Sequence, residues 1–488
     1  MTDEDAGQTT SYDIVLPEQL RESISREWDP APPMRHPSRP DGAPYAAHRR
    51  RAVAAHFPGE VIVVAAGVLT PRANDTDYAF RACGAFTWLT GETIEGAVLV
   101  MAPTSTGHDA TLYVREYAAA GDVGYFASRT HGAVWVGNVP SVAETADALD
   151  LPTRSLAALA GDLAKWSDGD AAVLTGFDPS VDALIPRGNG KRLGQVIDEL
   201  RLVKDEWEIG RLRAACDATA RGFADVAREL PAVLARPDLR GERWLEGTFW
   251  RRARLEGNEV GYTSILGAGD HATTLHWWRN DGSVLPGQLL LADMGIETDE
   301  LYTADVTRTL PVDGVWTPDQ RRIYNAVLEA QTAGFAEVKA GADFLAAHRA
   351  AMWVLADHLY SWGIIDVAAD VACGDDPEKP GAGAHRRYTL HGVSHMLGID
   401  VHDCALAREE TYRDGALAAG YVLTVEPGLY FQRNDRTVPA ELRGIGVRIE
   451  DDVLVTDGAA VNLSASLPRD PDEVTAWMRE VQAAPAVP

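Results

Sequence analysis

Four carboxylates stand inside stretches of this chain that are otherwise apolar enough to be buried strands, and they fall in two separate strand pairs. The first pair is LLLADMGIETDELYTADVTRTL, in which Asp293 and Asp305 sit among residues of buried character. The second is formed by TVEPGLYF, carrying Glu426, and GVRIEDDVLV, carrying Glu450. If the first hairpin is symmetric about Asp299, Asp293 and Asp305 become cross-strand neighbours with Cβ atoms roughly 5 Å apart. Carboxylates that close repel unless a cation or a proton intervenes. A single such pair is as readily explained by turn capping. Its recurrence in a second strand pair favours a shared counter-charge, because unneutralised acids are costly to bury.

Between the two pairs lies HGVSHMLGIDVHD, with His391, His395 and His402. His391 and His395 have the i, i+4 spacing of a zincin helix, but Gly392 stands where the catalytic glutamate would be and Gly398 follows closely, so a helical HExxH site is excluded. Four carboxylates and one imidazole form a hard, oxygen-rich donor set, better suited to paired Mn²⁺ or similar divalent ions than to thiolate zinc. Two such ions about 3.5–4 Å apart bridge a water, lower its pKa and stabilise the oxyanion formed when it attacks a carbonyl. The implied chemistry is hydrolysis of an acyl bond.

The remaining composition narrows the partners. A formal charge of −27 on 488 residues repels phosphate backbones and anionic lipid, which argues against nucleic acid and membrane surfaces. Cys83, Cys216, Cys373 and Cys404 are widely separated and include no CxxC pair, the pattern of reduced thiols and not of a disulfide framework. The N-terminus carries acids where a signal peptide would carry bases, and no apolar run reaches the roughly 20 residues of a spanning helix. A cytoplasmic protein is expected.

The length favours two or three domains. Residues 1–46 are a polar arm ending in the proline-rich DPAPPMRHPSRPDGAP. Residues 47–190 alternate short β-branched runs (61–66, 97–102, 111–114 and VWVG at 134–137) with alanine-rich, helix-like segments, and read as a smaller α/β domain. The glycine-containing IPRGNGKR at 185–192 marks a boundary, after which a long amphipathic helical stretch opens a domain over 191–470. Helices are expected near 318–340 and 343–362, and 471–488 reads as a C-terminal tail.

D-x-G at 293–295, Y-x-x-D-x-T-R-T at 302–309, HGxSHxLGxDVHD at 391–403, TVEPGLY at 424–430 and GxRIEDD at 446–452 together resemble, in order, the pita-bread metallopeptidases, the creatinase/aminopeptidase P/methionyl aminopeptidase family, and most closely its aminopeptidase P branch. NDTDYAFRACGAFTWLTG at 74–91 is similar to that branch's N-terminal domain. The resemblance implies an α/β fold with a C-terminal pita-bread catalytic domain behind a smaller α/β domain. It implies that Asp293 chelates one metal, His395 and Glu426 the other, and that Asp305 and Glu450 bridge them. Glu426 would also shuttle a proton from the metal-bridged water to the leaving nitrogen. His276, His391 and His402 would line the substrate cleft, Arg448 would orient a ligand, and Asp75, Asp77, Arg81 and Trp88 would lie toward it or serve the structure.

Two departures stand out: the turn IETDE is one residue longer than the family's, which implies a local bulge, and Trp277-Trp278-Arg279 after His276 is unusual, which bears on cleft specificity. The activity implied is Xaa-Pro aminopeptidase, acting on peptides with proline second, as a homo-oligomer (dimer or tetramer). The alternatives are a prolidase restricted to Xaa-Pro dipeptides, or a catalytically inactive pita-bread protein that binds peptides. The intact donor set argues against the latter, and against metal-free creatinase-type hydrolysis.

Overall fold

The computed structural model of the chain describes residues 17–484 apart from 25, 30–40, 75, 123, 167–169, 187–188 and 375. Most of the proline-rich arm, Asp75 and the last four residues of the expected tail thus lie outside the described residues. The contacts divide the chain into two units, residues 1–193 and 194–488.

The first unit is built on a five-stranded sheet: β1 (Val61–Ala65), β2 (Val98–Pro103), β3 (His108–Val114), β4 (Thr153–Ser155) and β5 (Ala171–Leu174), in the spatial order β4-β3-β2-β1-β5. β1 and β5 pair in parallel, and each strand's run of Val, Ile and Ala is buried along its length. That continuous burial explains why these runs show no alternation. VWVG at 134–137 departs from expectation. Ala133–Val136 make one helical turn with Val134, Trp135 and Val136 exposed. The Trp135 indole donates to the Phe126 carbonyl at 2.8 Å, and Gly137, at φ +87°, ends the turn. A four-residue apolar run carries no period that separates strand from helix. Trp88 is buried, whereas Asp77 and Arg81 are exposed.

The second unit begins with the amphipathic stretch seen in the sequence. It forms a helix at Gly190–Arg201 and then α1 (Glu206–Leu234), separated where Asp205 caps α1 in a reciprocal box with Glu208. α2 (Gly241–Glu256) packs on α1. β6 (Ile265–Ala268), β7 (Leu289–Met294) and β8 (Val306–Pro311) form an antiparallel sheet in the order β8-β7-β6. α3 (Pro318–Ala336) and α4 (Ala346–Ser361) follow, close to the expected positions, and pack on each other. Four further strands, β9 (Val422–Val425), β10 (Gly428–Phe431), β11 (Ile445–Arg448) and β12 (Asp451–Leu454), follow. The core joins Ile323 and Val327 of α3 and Leu355 of α4 to Leu423, Leu429, Val447 and Val453 of these strands.

The expected C-terminal tail is largely a helix, α5 (Pro471–Ala483), capped by Asp470 and burying Val474 and Met478 against α1.

Candidate metal centre

The acids reach one place because the two strand pairs are locked together. β9 pairs with β12 and β10 with β11 at the same offset on either side of a short gap, with Val425 opposite Asp451 and Gly428 opposite Arg448. Glu426 and Glu450 fall at facing positions of that register, in the short gap where Pro427 interrupts the ladder. The β8 strand lies alongside: Glu450 N–H donates to the Thr307 carbonyl at 3.1 Å, and the Thr307 hydroxyl donates to Glu450 Oε2 at 2.6 Å. Arg308, fully buried, donates to the Glu450 carbonyl and to Asp451 Oδ1 at 2.7 Å, so one guanidinium spans both strand pairs.

The first hairpin corrects the expected pairing by two residues. Asp293 lies opposite Thr307, and the ladder continues as a bridge between Glu297 and Thr303. The centre of symmetry is therefore Glu300 and not Asp299. The turn over 298–302 places Leu301 at φ +67°. Asp305 lies two residues from Thr307, on the same face as Asp293 but diagonal to it. Diagonal neighbours are about 7–8 Å apart, their Cβ atoms somewhat less, which leaves more room between the carboxylates than direct opposition would.

The segment carrying the histidines is not helical. Residues 393–397 run beside β9 as an irregular strand: Glu426 N–H donates to Val393 O at 2.8 Å, Thr424 N–H to His395 O at 3.0 Å and Leu397 N–H to Val422 O at 2.9 Å. His395 Nε2 thereby comes to 3.3 Å from Asp305 Oδ2 and 3.6 Å from Glu426 Oε1. Asp305, His395 and Glu450 each offer a donor atom within 4.8 Å of the others. Asp293 instead receives the Arg448 guanidinium on Oδ2 and the Tyr262 hydroxyl on Oδ1 at 2.6 Å.

The electrostatics show what this cluster lacks. Burial, then the neighbouring Asp305, pushes the Glu450 carboxyl well above the usual carboxylate range. Burial likewise raises Asp293 to about 6, against the pull of Arg448. Burial alone would lower His395, but the hydrogen bond and charge of Asp305, with Glu426, carry it up to about 9. Burial opposes ionisation of Glu426 too, yet His391 holds it below its ordinary value. Buried acids pressed toward protonation beside an imidazole pressed toward its cation are a site short of positive charge. Their oxygen-rich donors fit hard divalent ions.

The other residues line a cleft of about 700 Å³ that also contains Tyr262, Leu275, Trp278 and Val401. His402 packs edge-on to His395, ring centroids 4.4 Å apart, and burial lowers its pKa. His276 is exposed at the wall, stacked on Trp278. His391 Nδ1 faces only acceptors, Gly392 O at 2.7 Å and Glu426 Oε2 at 3.4 Å. In the neutral ring that nitrogen carries the hydrogen, and Nε2 accepts from the Tyr430 hydroxyl at 2.7 Å. Arg448 in turn donates to Tyr430 at 3.0 Å, making a chain from Arg448 through Tyr430 to His391.

Tyr262, Thr307 and Tyr430 had not been singled out from the sequence. Tyr430 shares its parity with Glu426 along TVEPGLY, a signal that points to the same face; for Tyr262 the sequence holds none.

The model of metallopeptidase family M24 matches residues 210–457, and that of the aminopeptidase P N-terminal domain matches residues 45–173. The chain is 50% identical over 439 residues to Xaa-Pro aminopeptidase 2 of Streptomyces coelicolor, covering 89% of this chain and 91% of that protein. It is 30% identical over 443 residues to the Xaa-Pro aminopeptidase of Escherichia coli, covering 88% and 96%. The solved structure of E. coli aminopeptidase P with the inhibitor Pro-Leu superposes with a TM-score of 0.78 at 27% identity, over 91% of this chain and 99% of that one. A zinc-substituted form of the same enzyme with product gives 0.79 at 28% identity over the same shares.

Proposed function

This chain belongs to metallopeptidase family M24, its pita-bread catalytic domain preceded by an aminopeptidase P N-terminal domain, and from that premise we propose that it releases the N-terminal residue from peptides with proline in second position. It is a hydrolase dependent on divalent metal ions. The observation that carries the reading is the intact donor set of Asp293, Asp305, His395, Glu426 and Glu450 in a chain half identical to an Xaa-Pro aminopeptidase along most of its length.

Those five residues would hold the ions, with Asp305 and Glu450 shared between them. When bound, divalent ions lower the pKa of the attacking water and polarise the scissile carbonyl. Glu426 takes the proton that water loses as its oxygen bonds to the carbonyl carbon, and passes it to the proline nitrogen as the C–N bond breaks. His391, aligned by Tyr430, and His402 hold the peptide and the developing oxyanion. Arg448 keeps Asp293 and Tyr430 in place, and His276 closes the cleft wall.

Manganese is the favoured metal because the donors are mostly carboxylate. Of the division into an arm (1–46), an N-terminal domain (47–190) and a catalytic domain (191–470), the boundary after 190 lies close to the separation of contacts at residues 193 and 194. A cytoplasmic location draws on four cysteines that form no disulfide among the described residues, and no described helix is long and apolar enough to cross a membrane. A homo-oligomer follows from the resemblance alone.

The deciding experiment loads purified protein with Mn²⁺ and offers an Xaa-Pro-Yaa tripeptide beside an Xaa-Pro dipeptide. Release of Xaa from the tripeptide is expected. Cleavage of the dipeptide alone would make the protein a prolidase, and cleavage of neither would end the assignment.

A further inference from the structure

Trp278 is 58% exposed, yet it forms part of the wall of the cleft that holds the metal-ligand cluster. A large apolar ring left in water is paid for by nothing in the fold, and aromatic side chains carry roughly 150–250 Å² of burial energetics. Its position is nonetheless determined on both sides. Trp277, one residue before, turns inward: its indole donates to Glu242 Oε2 at 2.8 Å and stacks on His271 with ring centroids 3.8 Å apart. Glu242 is fully buried and also accepts from the backbone of Ala268 and Gly282, so this anchor is firm.

Two residues after Trp278 stands Asn280, fully buried and at φ +44°. Its amide donates to Ser264 O at 2.9 Å and to Glu246 Oε1 at 2.8 Å, while its carbonyl accepts from Leu266 N–H at 3.0 Å. Trp278 is therefore presented on a short segment clamped at both ends, with its ring nearly parallel to His276 at 15° and 5.3 Å between centroids. Leu275, Ile265 and Val401 give the adjoining cleft wall an apolar character.

We propose that Trp278 is a specificity-determining residue, offering an aromatic platform to a flat apolar or aromatic side chain of the peptide at a position other than the proline. The inference rests on the Xaa-Pro reading of the site. Preorganisation by Trp277 and Asn280 means that the ring stacks on the substrate without first being ordered, which is how a single exposed residue adds selectivity. The same platform serves either the residue before proline or the residue after it, and these are separated by experiment.

The test compares kcat/KM for Phe-Pro-Ala, Ala-Pro-Phe and Ala-Pro-Ala in the metal-loaded wild type, Trp278→Ala and Trp278→Phe. Trp278→Ala is expected to lower the Phe/Ala preference about tenfold in one of the two arms, and Trp278→Phe to keep most of it. The arm that moves identifies the position recognised. A uniform fall on all three peptides, through disturbed stacking on His276, would leave the ratios unchanged and overturn the proposal. So would an altered oligomeric size with unchanged ratios, which would make Trp278 a subunit contact. Failure of the wild type on all three peptides would instead reject the reaction itself.

Discussion

Lys204 Nζ donates to Asp403 Oδ2 at 2.9 Å, and both side chains are 1% exposed. Arg201 donates to the other oxygen of the same carboxylate. Asp403 directly follows His402, its backbone N–H is tied to Met396 O at 2.9 Å, and a Cβ on Gly398 would collide with its carboxylate. This brace ties the entrance of the second unit to the loop that presents His395 and His402, and it accounts for a glycine at 398.

Lys204→Met should therefore destabilise the protein by about 3–5 kcal/mol, because it leaves a buried carboxylate one partner short. Denaturant unfolding at neutral pH measures the loss. The double variant Lys204→Met/Asp403→Leu should not recover the loss, because removing the carboxylate leaves the buried Arg201 guanidinium short of a partner in its turn.

The same carboxylate sets an acid limb. Burial by itself would raise the Asp403 pKa, but Arg201 and Lys204 hold it at about 2, against about 3.9 in an unfolded chain. A depressed carboxylate contributes stability that is complete above about pH 4 and is lost as pH falls toward 2. Unfolding free energy should drop over that window in the wild type and drop less steeply in Asp403→Asn.

Glu426→Gln keeps an oxygen donor at its place but cannot accept a proton. Turnover of an Xaa-Pro-Yaa tripeptide should fall by roughly 10²–10⁴-fold, with the metal content of the purified protein largely retained. Full activity in this variant would remove Glu426 from the proton path.

Chelation should abolish peptide release, and Mn²⁺ should restore it. Because ions bound by the native state alone add to its stability, the chelated protein should also melt at a lower temperature. A Tm unchanged by chelator would count against a buried multi-carboxylate metal site.

Tyr430→Phe removes the hydroxyl that joins Arg448 to His391. His391 then loses its orienting partner while the metal ligands are untouched, so kcat should fall by roughly tenfold or more with metal content unchanged. An unaltered kcat would show that Gly392 O and Glu426 suffice to hold the ring.

Much of this was legible in the chain itself. Acids placed in apolar strands, twice, favour a shared counter-charge whatever the family, and the helical periods over 196–230, 318–340 and 343–362 lead directly to helices. The run at 134–137 shows the limit: it is too short to carry a period, and besides the local backbone bonds of its turn to Gly132 and Ala133 its Trp135 indole is tied to a carbonyl nine positions away.

What the sequence determined by itself was which residues are acidic among buried neighbours, on which side of each strand they point, and in what order the motifs occur, because side-chain parity and apolar patterning are local. Only the tertiary structure decided that Asp293 faces Thr307 instead of Asp305, that Arg308 and Thr307 join the strand pairs, that Tyr262 and Tyr430 complete the site and that Lys204 braces Asp403. A shift of two residues in the pairing keeps every side chain on its own face and so leaves the local pattern unchanged, and contacts between residues from 31 to 199 positions apart arise from packing that no short window contains.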